Sequence, residues 1–397
     1  MNSLNDFLNL DSTVTRVIVS SNCGNDASLV LMDMSRFIYL KELIIGDNCF
    51  SSVGEFVLNN STILEKIVIG SNSFGLGTGE FHLLNLPLLR ELTVGSNSFT
   101  SYSSFVLDAI PLLSSVSIDE QCFVNVNELR LDGLSGLRSV VIGTNSFSSR
   151  NGDLYVKNCP LLHELKISSN AMSVFKLFEI ESVPLLESLE IGDNCFSNVG
   201  IFSLNGLAGL SKVIVGDHCF SKQYGSFQLK NCTSVKTLQI GSESFGAFTS
   251  FEIESTPLLE SIRINTHSLP NVNELRLDGL SGLERAVIGS NSMTSVEGIF
   301  SLTNCASVSE LVVGDGSMRS FKSVTISAVS LLATITIGSD SLKNVDSFVL
   351  SGLSGLESVV IGSNSFSNKN GSFSVVNCTS LESVEIGSSS MGAYSVL

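Results

Sequence analysis

Apolar and polar residues alternate in short bursts along the whole chain, and the bursts return at regular intervals. "LEKIVIGSNSF" from Leu64, "LRSVVIGTNSF" from Leu137, "LESLEIGDNCF" from Leu186 and "LESVVIGSNSF" from Leu356 share one frame. Its fourth and sixth positions are apolar while the third and fifth vary, and period-2 patterning over so few residues predicts a half-buried strand. The leading Leu or Val falls at 40, 64, 89, 113, 137, 162, 186, 210, 235, 259, 283, 308, 332, 356 and 381, with a weaker unit opening at Val14. Steps of 24, 25 and 24 residues recur as a 73-residue block. The second half of each unit reads Phe-x-Leu-x-x-Leu-x-x-Leu, as in "FSLNGLAGL" (202–210) and "FVLSGLSGL" (348–356), which predicts another short strand.

A period in the twenties with Leu-x-x-(Val/Ile/Leu)-x-(Ile/Val)-Gly-x-Asn-(Ser/Cys)-(Phe/Met/Leu) resembles the leucine-rich repeat over essentially the whole chain. The commonest form of that family carries an outer helix, and the strand-like second half here departs from it. In this the chain is similar to the β-rich repeats of bacterial and protist surface proteins, the BspA-like group. The fold expected is mainly β: a leucine-rich repeat solenoid with two parallel β-sheets, about 16 coils of 24–25 residues in 73-residue super-repeats. Residues 14–397 form the solenoid, and residues 1–13, with Ser3 ahead of Leu4, Phe7 and Leu8, form an N-terminal cap with a short helix.

Within each 73-residue block three corner types alternate. Gly79, Gly152, Gly225, Gly298 and Gly371 stand where a unit has its extra residue, and a glycine there suits a bulge that needs positive φ. Val53, Val126, Val199, Val272 and Val345 hold the matching place in a second type, and Tyr102, Phe175, Phe248, Phe321 and Tyr394 in the third. A further row, Asn48, Asn72, Asn97, Asn145, Asn170, Asn194, Asn291 and Asn364, reads as a buried turn position whose side chain bonds the backbone.

Composition narrows the function. Apolar residues are 43% and mean hydropathy is +0.34, but no apolar run reaches the roughly 18 residues of a spanning helix. The opening "MNSLNDFLNLDSTVTRVIVSSN" lacks the pattern of a signal peptide, so the chain as written reads as cytoplasmic. A net charge of −16 with 22 basic residues argues against nucleic acid and against membrane insertion or anionic surfaces. The nine cysteines fall in rows, and only Cys23 with Cys49 and Cys195 with Cys219 occupy equivalent places on successive units, so free, partly buried thiols are expected. There is no CxxC, no HExxH and no Ser-His-Asp order, and the aspartates after glycine (Asp47, Asp193, Asp217, Asp315) lack the glycine-rich nonapeptide of calcium-binding solenoids. No catalytic residue, no metal and no cofactor is assigned.

What remains is a binding scaffold. The outward fifth-position row is charged around its middle, and His163, Glu164, Lys166, Glu190, Lys212, Gln239 and Arg263 are the candidate partner-binding residues. The expected partner is a protein, and the chain's stop at "MGAYSVL", before that unit's second strand, points to another copy or to a longer array. Identical coils are expected to leave no concave pocket. The alternative is a cell-surface or secreted adhesion module whose signal sequence is missing, with sequons at Asn60, Asn231, Asn370 and Asn377.

Overall fold

The structure is a computed structural model that describes residues 8–368, 371–392 and 394–396. The capping helix expected from Ser3 onward lies almost wholly outside the described residues. The described chain is all-β, a parallel solenoid of about 15 turns. It divides into two compact units, Met1–Val199 and Gly200–Leu397.

In the first unit one wall stacks Arg16–Val19, Glu42–Ile45, Lys66–Ile69, Glu91–Val94, Ser115–Ile118, Ser139–Ile142, Glu164–Ile167 and Ser188–Ile191 in parallel, each hydrogen-bonded to the next. Residue pairs with its equivalent one turn on, as Leu165 does with Leu189 and Ile167 with Ile191. The second unit repeats the arrangement from Lys212–Val215 to Ser383–Ile386. Burial alternates along these strands as far as Ser358–Ile361, while Val384 and Ile386 of the last strand are exposed, so the apolar positions of the eleven-residue frame are the inward ones. Facing them, the phenylalanines of the second strands and corners stack coil upon coil. Phe56 and Phe81 lie 5.3 Å apart at 10°, and Phe74 and Phe99 lie 4.6 Å apart at 7°. Offset stacking of this kind adds about 0.5–1.5 kcal/mol per pair beyond area burial. That explains why Phe recurs in register.

The second wall departs from expectation, because it is several sheets rather than one. In the first unit Leu31–Asp33, Glu55–Asn59, Glu80–Leu84 and Ser104–Asp108 form one sheet, and Glu128–Asp132, Asp153–Lys157 and Leu177–Glu181 another. In the second unit the sheet of Ile201–Asn205, Gly225–Lys230 and Phe248–Glu254 stops before the six-stranded sheet that begins at Glu274–Asp278. Seams therefore separate Ser104–Asp108 from Glu128–Asp132, and Phe248–Glu254 from Glu274–Asp278. The topologically equivalent pair Phe321–Ser327 and Ser347–Ser351 is closed.

The outward residues track this difference. At the register of the closed pair, Ser323, Thr325 and Ser327 face Ser347, Val349 and Ser351. The same 24-residue offset would set Asp108 against Asp132, and Glu254 against Asp278. Like charges directly opposite one another disfavour pairing. The proline three residues after the strand does not account for the seams: Pro87 and Pro160 follow strands whose ladders to the next coil are complete, just as Pro111 and Pro257 follow the open ones.

Two corner readings are corrected. Gly79, Gly152, Gly225, Gly298 and Gly371 do not have positive φ. They are glycine for want of space. A Cβ on Gly225 would meet the Gly200 carbonyl oxygen at 1.8 Å, and one on Gly298 would meet the Phe321 ring at 2.8 Å. At Gly152, Gly298 and Gly371 the aromatic of the third coil type lies over the glycine, and Tyr102 reaches on to donate its hydroxyl to the Val53 carbonyl at 2.8 Å, two coils back. The three-coil block is thus one packing unit, and the bulges expected at the glycines occur at Gly225/Ser226 and Gly298/Ile299.

The asparagine row, by contrast, is where positive φ is needed. Asn72, Asn145 and Asn364 lie at φ 56, 60 and 59, and the replacements Gln121, Glu243 and His267 adopt the same conformation at 57, 56 and 59. Asparagine tolerates the left-handed region better than most residues. The buried hydrogen bonding passes to the next residue. Ser268 Oγ donates to the Gly241 carbonyl at 2.7 Å and accepts from the Ser244 amide at 3.4 Å, and Ser292 and Ser341 repeat the pattern. In the first unit Ser98 does the same, and Cys122 takes the place of serine, its thiol donating to the Gly95 carbonyl at 3.2 Å. A ladder of buried hydroxyls and thiols, interrupted at Ala171, thereby satisfies backbone groups that the bend leaves without strand partners.

Candidate functional site

The first wall presents the predicted partner-binding residues, divided between the units. In the first unit Glu164 and Lys166 point outward from Glu164–Ile167 while Leu165 and Ile167 are buried. Lys166 stands beside Glu190 in register, and the Ser139 hydroxyl donates to Glu164 at 3.0 Å. His163 precedes the strand, half-buried, with Nδ1 2.6 Å from the Leu161 carbonyl oxygen. In the second unit Gln239 stands beside Arg263, whose Nε donates to Asn265 Oδ1 at 3.0 Å. Lys212 opens Lys212–Val215, next to Thr237. The strand residues among them form outward-facing ribbons because the strand's two-residue repeat sends every second residue outward, and Glu164, Lys166 and Arg263 are the most exposed.

The seam in the second unit carries residues that the sequence reading did not single out, and it overturns the expectation that no concavity exists. Between Phe248–Glu254 and Glu274–Asp278 lies a crevice of about 590 Å³. Its rim holds Glu252, Glu254, Glu274 and Asp278 with Lys230 and Arg276, and its floor is Phe251 and Ile253. Ile253 is 9% exposed, whereas Ile326, its equivalent in the closed ladder, is 1% exposed. Both cations are engaged: Lys230 Nζ lies 2.5 Å from Glu252 and 3.7 Å from Glu254, and Arg276 Nη2 lies 2.8 Å from Asp278. Hydrogen bonds from Arg276, Thr303 and Asn304 hold the Asp278 carboxyl down at about 2. The rim thus keeps four carboxylates against two cations. The signal for this site was legible in principle, as an acid at position 254 and another 24 residues later where the closed pair has serines.

On the second wall of the first unit, Lys157 pairs with Glu179 at 2.8 Å, and the Arg130 guanidinium lies over the Tyr155 ring at 4.2 Å while contacting Glu128 at 3.0 Å. Exposed pairs of this kind contribute about 0–1 kcal/mol each. The turn-row histidine His218 sits 3.2 Å from Glu243, its equivalent one coil on. Seven of the nine cysteines are buried, and the thiols of Cys195 and Cys219 donate to backbone carbonyls. Burial pushes the Cys122 thiol up to about 12 and the Cys159 thiol up to about 11, so neither is a poised nucleophile. Among the described residues no cluster of three or more His, Cys, Asp or Glu is arranged to hold a metal ion, and no helix is long and apolar enough to cross a membrane.

Searches of the curated proteins and of the solved structures returned no match. The family model for the BspA type leucine rich repeat region, in six copies, matches residues 93–226 and 281–395, together more than half of the chain. The repeat frame, the strand in place of an outer helix and this match agree: the chain belongs to the BspA-type leucine-rich repeat family.

Proposed function

We propose that the chain is a non-enzymatic repeat scaffold that binds protein partners through its sheet faces. The observation that carries this reading is the first wall, where strand after strand buries one row and offers the other, giving each unit a regular ribbon of outward side chains. Rigid backbones that display polar residues at fixed spacing suit a partner with extended complementary surface. His163, Glu164, Lys166 and Glu190 in the first unit, and Lys212, Gln239 and Arg263 in the second, are the residues assigned to contact. Such an interface is tested by capture from the native source with the unchanged chain and with Lys166→Glu/Arg263→Glu. Partners retained by the first and lost by the second support the reading, and identical captures overturn the residue assignment. Self-association is a finer form of the same proposal; light scattering that stays monodisperse at monomer mass up to high concentration removes it.

A second reading, an adhesion module on the cell surface or outside the cell, draws on the sequon asparagines. Asn60, Asn231 and Asn377 are all exposed at corners. The buried thiols favour a reducing, cytoplasmic setting instead. Fractionation of the native source distinguishes the two.

A further inference from the structure

We propose that the seam between Phe248–Glu254 and Glu274–Asp278 is a docking site for an extended, lysine- or arginine-bearing peptide segment. This rests on the reading of the chain as a protein binder, at a place distinct from the first-wall ribbon. Three observations carry it.

First, the seam leaves strand edges without their neighbours. In the closed ladder the Ala328 amide donates to the Ser351 carbonyl at 3.0 Å and the Asp346 amide to the Lys322 carbonyl at 2.7 Å. The corresponding bonds, Ser255 to Asp278 and Asn273 to Thr249, are not formed. Unpaired edge groups are the element that an added strand recognises, with main-chain bonds supplying affinity and side-chain pockets supplying selectivity. Beside Ser255, the buried Thr256 hydroxyl also lacks a partner.

Second, the crevice has an apolar floor, Phe251 and Ile253, under a polar rim, and its 590 Å³ accommodates side chains of an extended segment. Third, charge selects the occupant. Four rim carboxylates face two cations that already have partners, so a basic side chain completes the set and an acidic one is repelled. The opposed acids Glu254 and Asp278 thus do two things: their repulsion holds the seam open, and their charge names the ligand.

The test uses the whole chain and a capped nine-residue peptide alternating Lys with Thr and Val, with a matched Glu peptide as control. Calorimetric titration is expected to show saturable binding of the Lys peptide only, weakened at least tenfold by 0.5 M salt and by Glu254→Gln/Asp278→Asn. In that variant, hydrogen exchange at the Ser255 and Asn273 amides is expected to slow as the seam closes. Unchanged exchange at the Ala328 amide shows that the fold persists. No binding of the Lys peptide, equal binding of the Glu peptide, or undiminished binding by the variant overturns the proposal. Capture of partners through the first wall is read independently, since Lys166→Glu/Arg263→Glu leaves the seam intact.

Discussion

At the scale of the residue, the solenoid is a set of rows, and each row obeys one local constraint. Gly225 and Gly279 look alike in the sequence, yet they are glycine for opposite reasons. The first has ordinary φ and a carbonyl oxygen where its Cβ would be, 1.8 Å away; the second has φ +67 with nothing within 4 Å. Gly225→Ala is therefore expected to destabilise by roughly 3 kcal/mol, because backbone must move to relieve the clash. Gly279→Ala costs about 1 kcal/mol, the price of a left-handed residue with a side chain. Urea midpoints of the two variants check the order, and equal shifts would contradict the packing account. The Asn and Ser rows show the same division of labour: Asn97 accepts the strained backbone at φ 58, and Ser98 beside it satisfies the preceding coil's groups through a buried hydroxyl.

At the scale of the element, the acid-bordered seam and the closed ladder differ in what faces outward. Inward residues are nearly interchangeable between open and closed ladders: Phe251 and Ile253 line a seam, while Phe348 and Leu350 sit in a continuous sheet. The outward rows differ, acids at the seam and hydroxyls in the closed ladder. Placing acids in the closed ladder, as Ser327→Glu/Ser351→Asp, is expected to open it. Hydrogen exchange at the Ala328 amide, bonded to the Ser351 carbonyl at 3.0 Å, should quicken by tenfold or more while Gly279 and Asn304 keep their rates. Unaltered exchange at Ala328 would remove charge repulsion as the cause of the seams. One acidic neighbour pair at a strand start is tolerated, as Glu128 beside Asp153 shows, so the effect belongs to the strand's far end, where the chain turns away.

At the scale of the whole molecule, the buried thiols tie stability to alkaline pH. Cys122 is pushed up to about 12 and Cys159 to about 11 by burial, and Cys49, Cys232 and Cys305 are raised by the same cause. A cysteine in the unfolded chain ionises near 8.5. Above that pH the folded protein holds more protons than the unfolded one, so unfolding releases protons and stability falls as pH rises toward 11–12. Below about pH 8 the contribution is fully present and the curve is flat with respect to these groups. Denaturant midpoints at pH 8, 9.5 and 10.5 should fall in that order, and Cys122→Ser/Cys159→Ser should flatten the decline. A flat profile in the unchanged chain would mean that the thiols are not desolvated.

The sequence alone determined the repeat, its 73-residue block, the two strands of each coil and the inward rows, because short-range alternation and fixed spacing record directly which residues must leave water. Leu165, Ile167, Leu189 and Ile191 are inward as their letters imply, and the outward placement of Lys166 and Arg263 follows from the same parity. Only the tertiary structure decided which neighbours meet. Gly298 is explained by the Phe321 ring of the next coil and Tyr102 by the Val53 carbonyl two coils back, while the crevice brings Glu254 and Asp278, 24 residues apart in the chain, onto one rim. Those relations run along the stack, perpendicular to the chain, where space, charge and hydrogen-bond partners come from other coils.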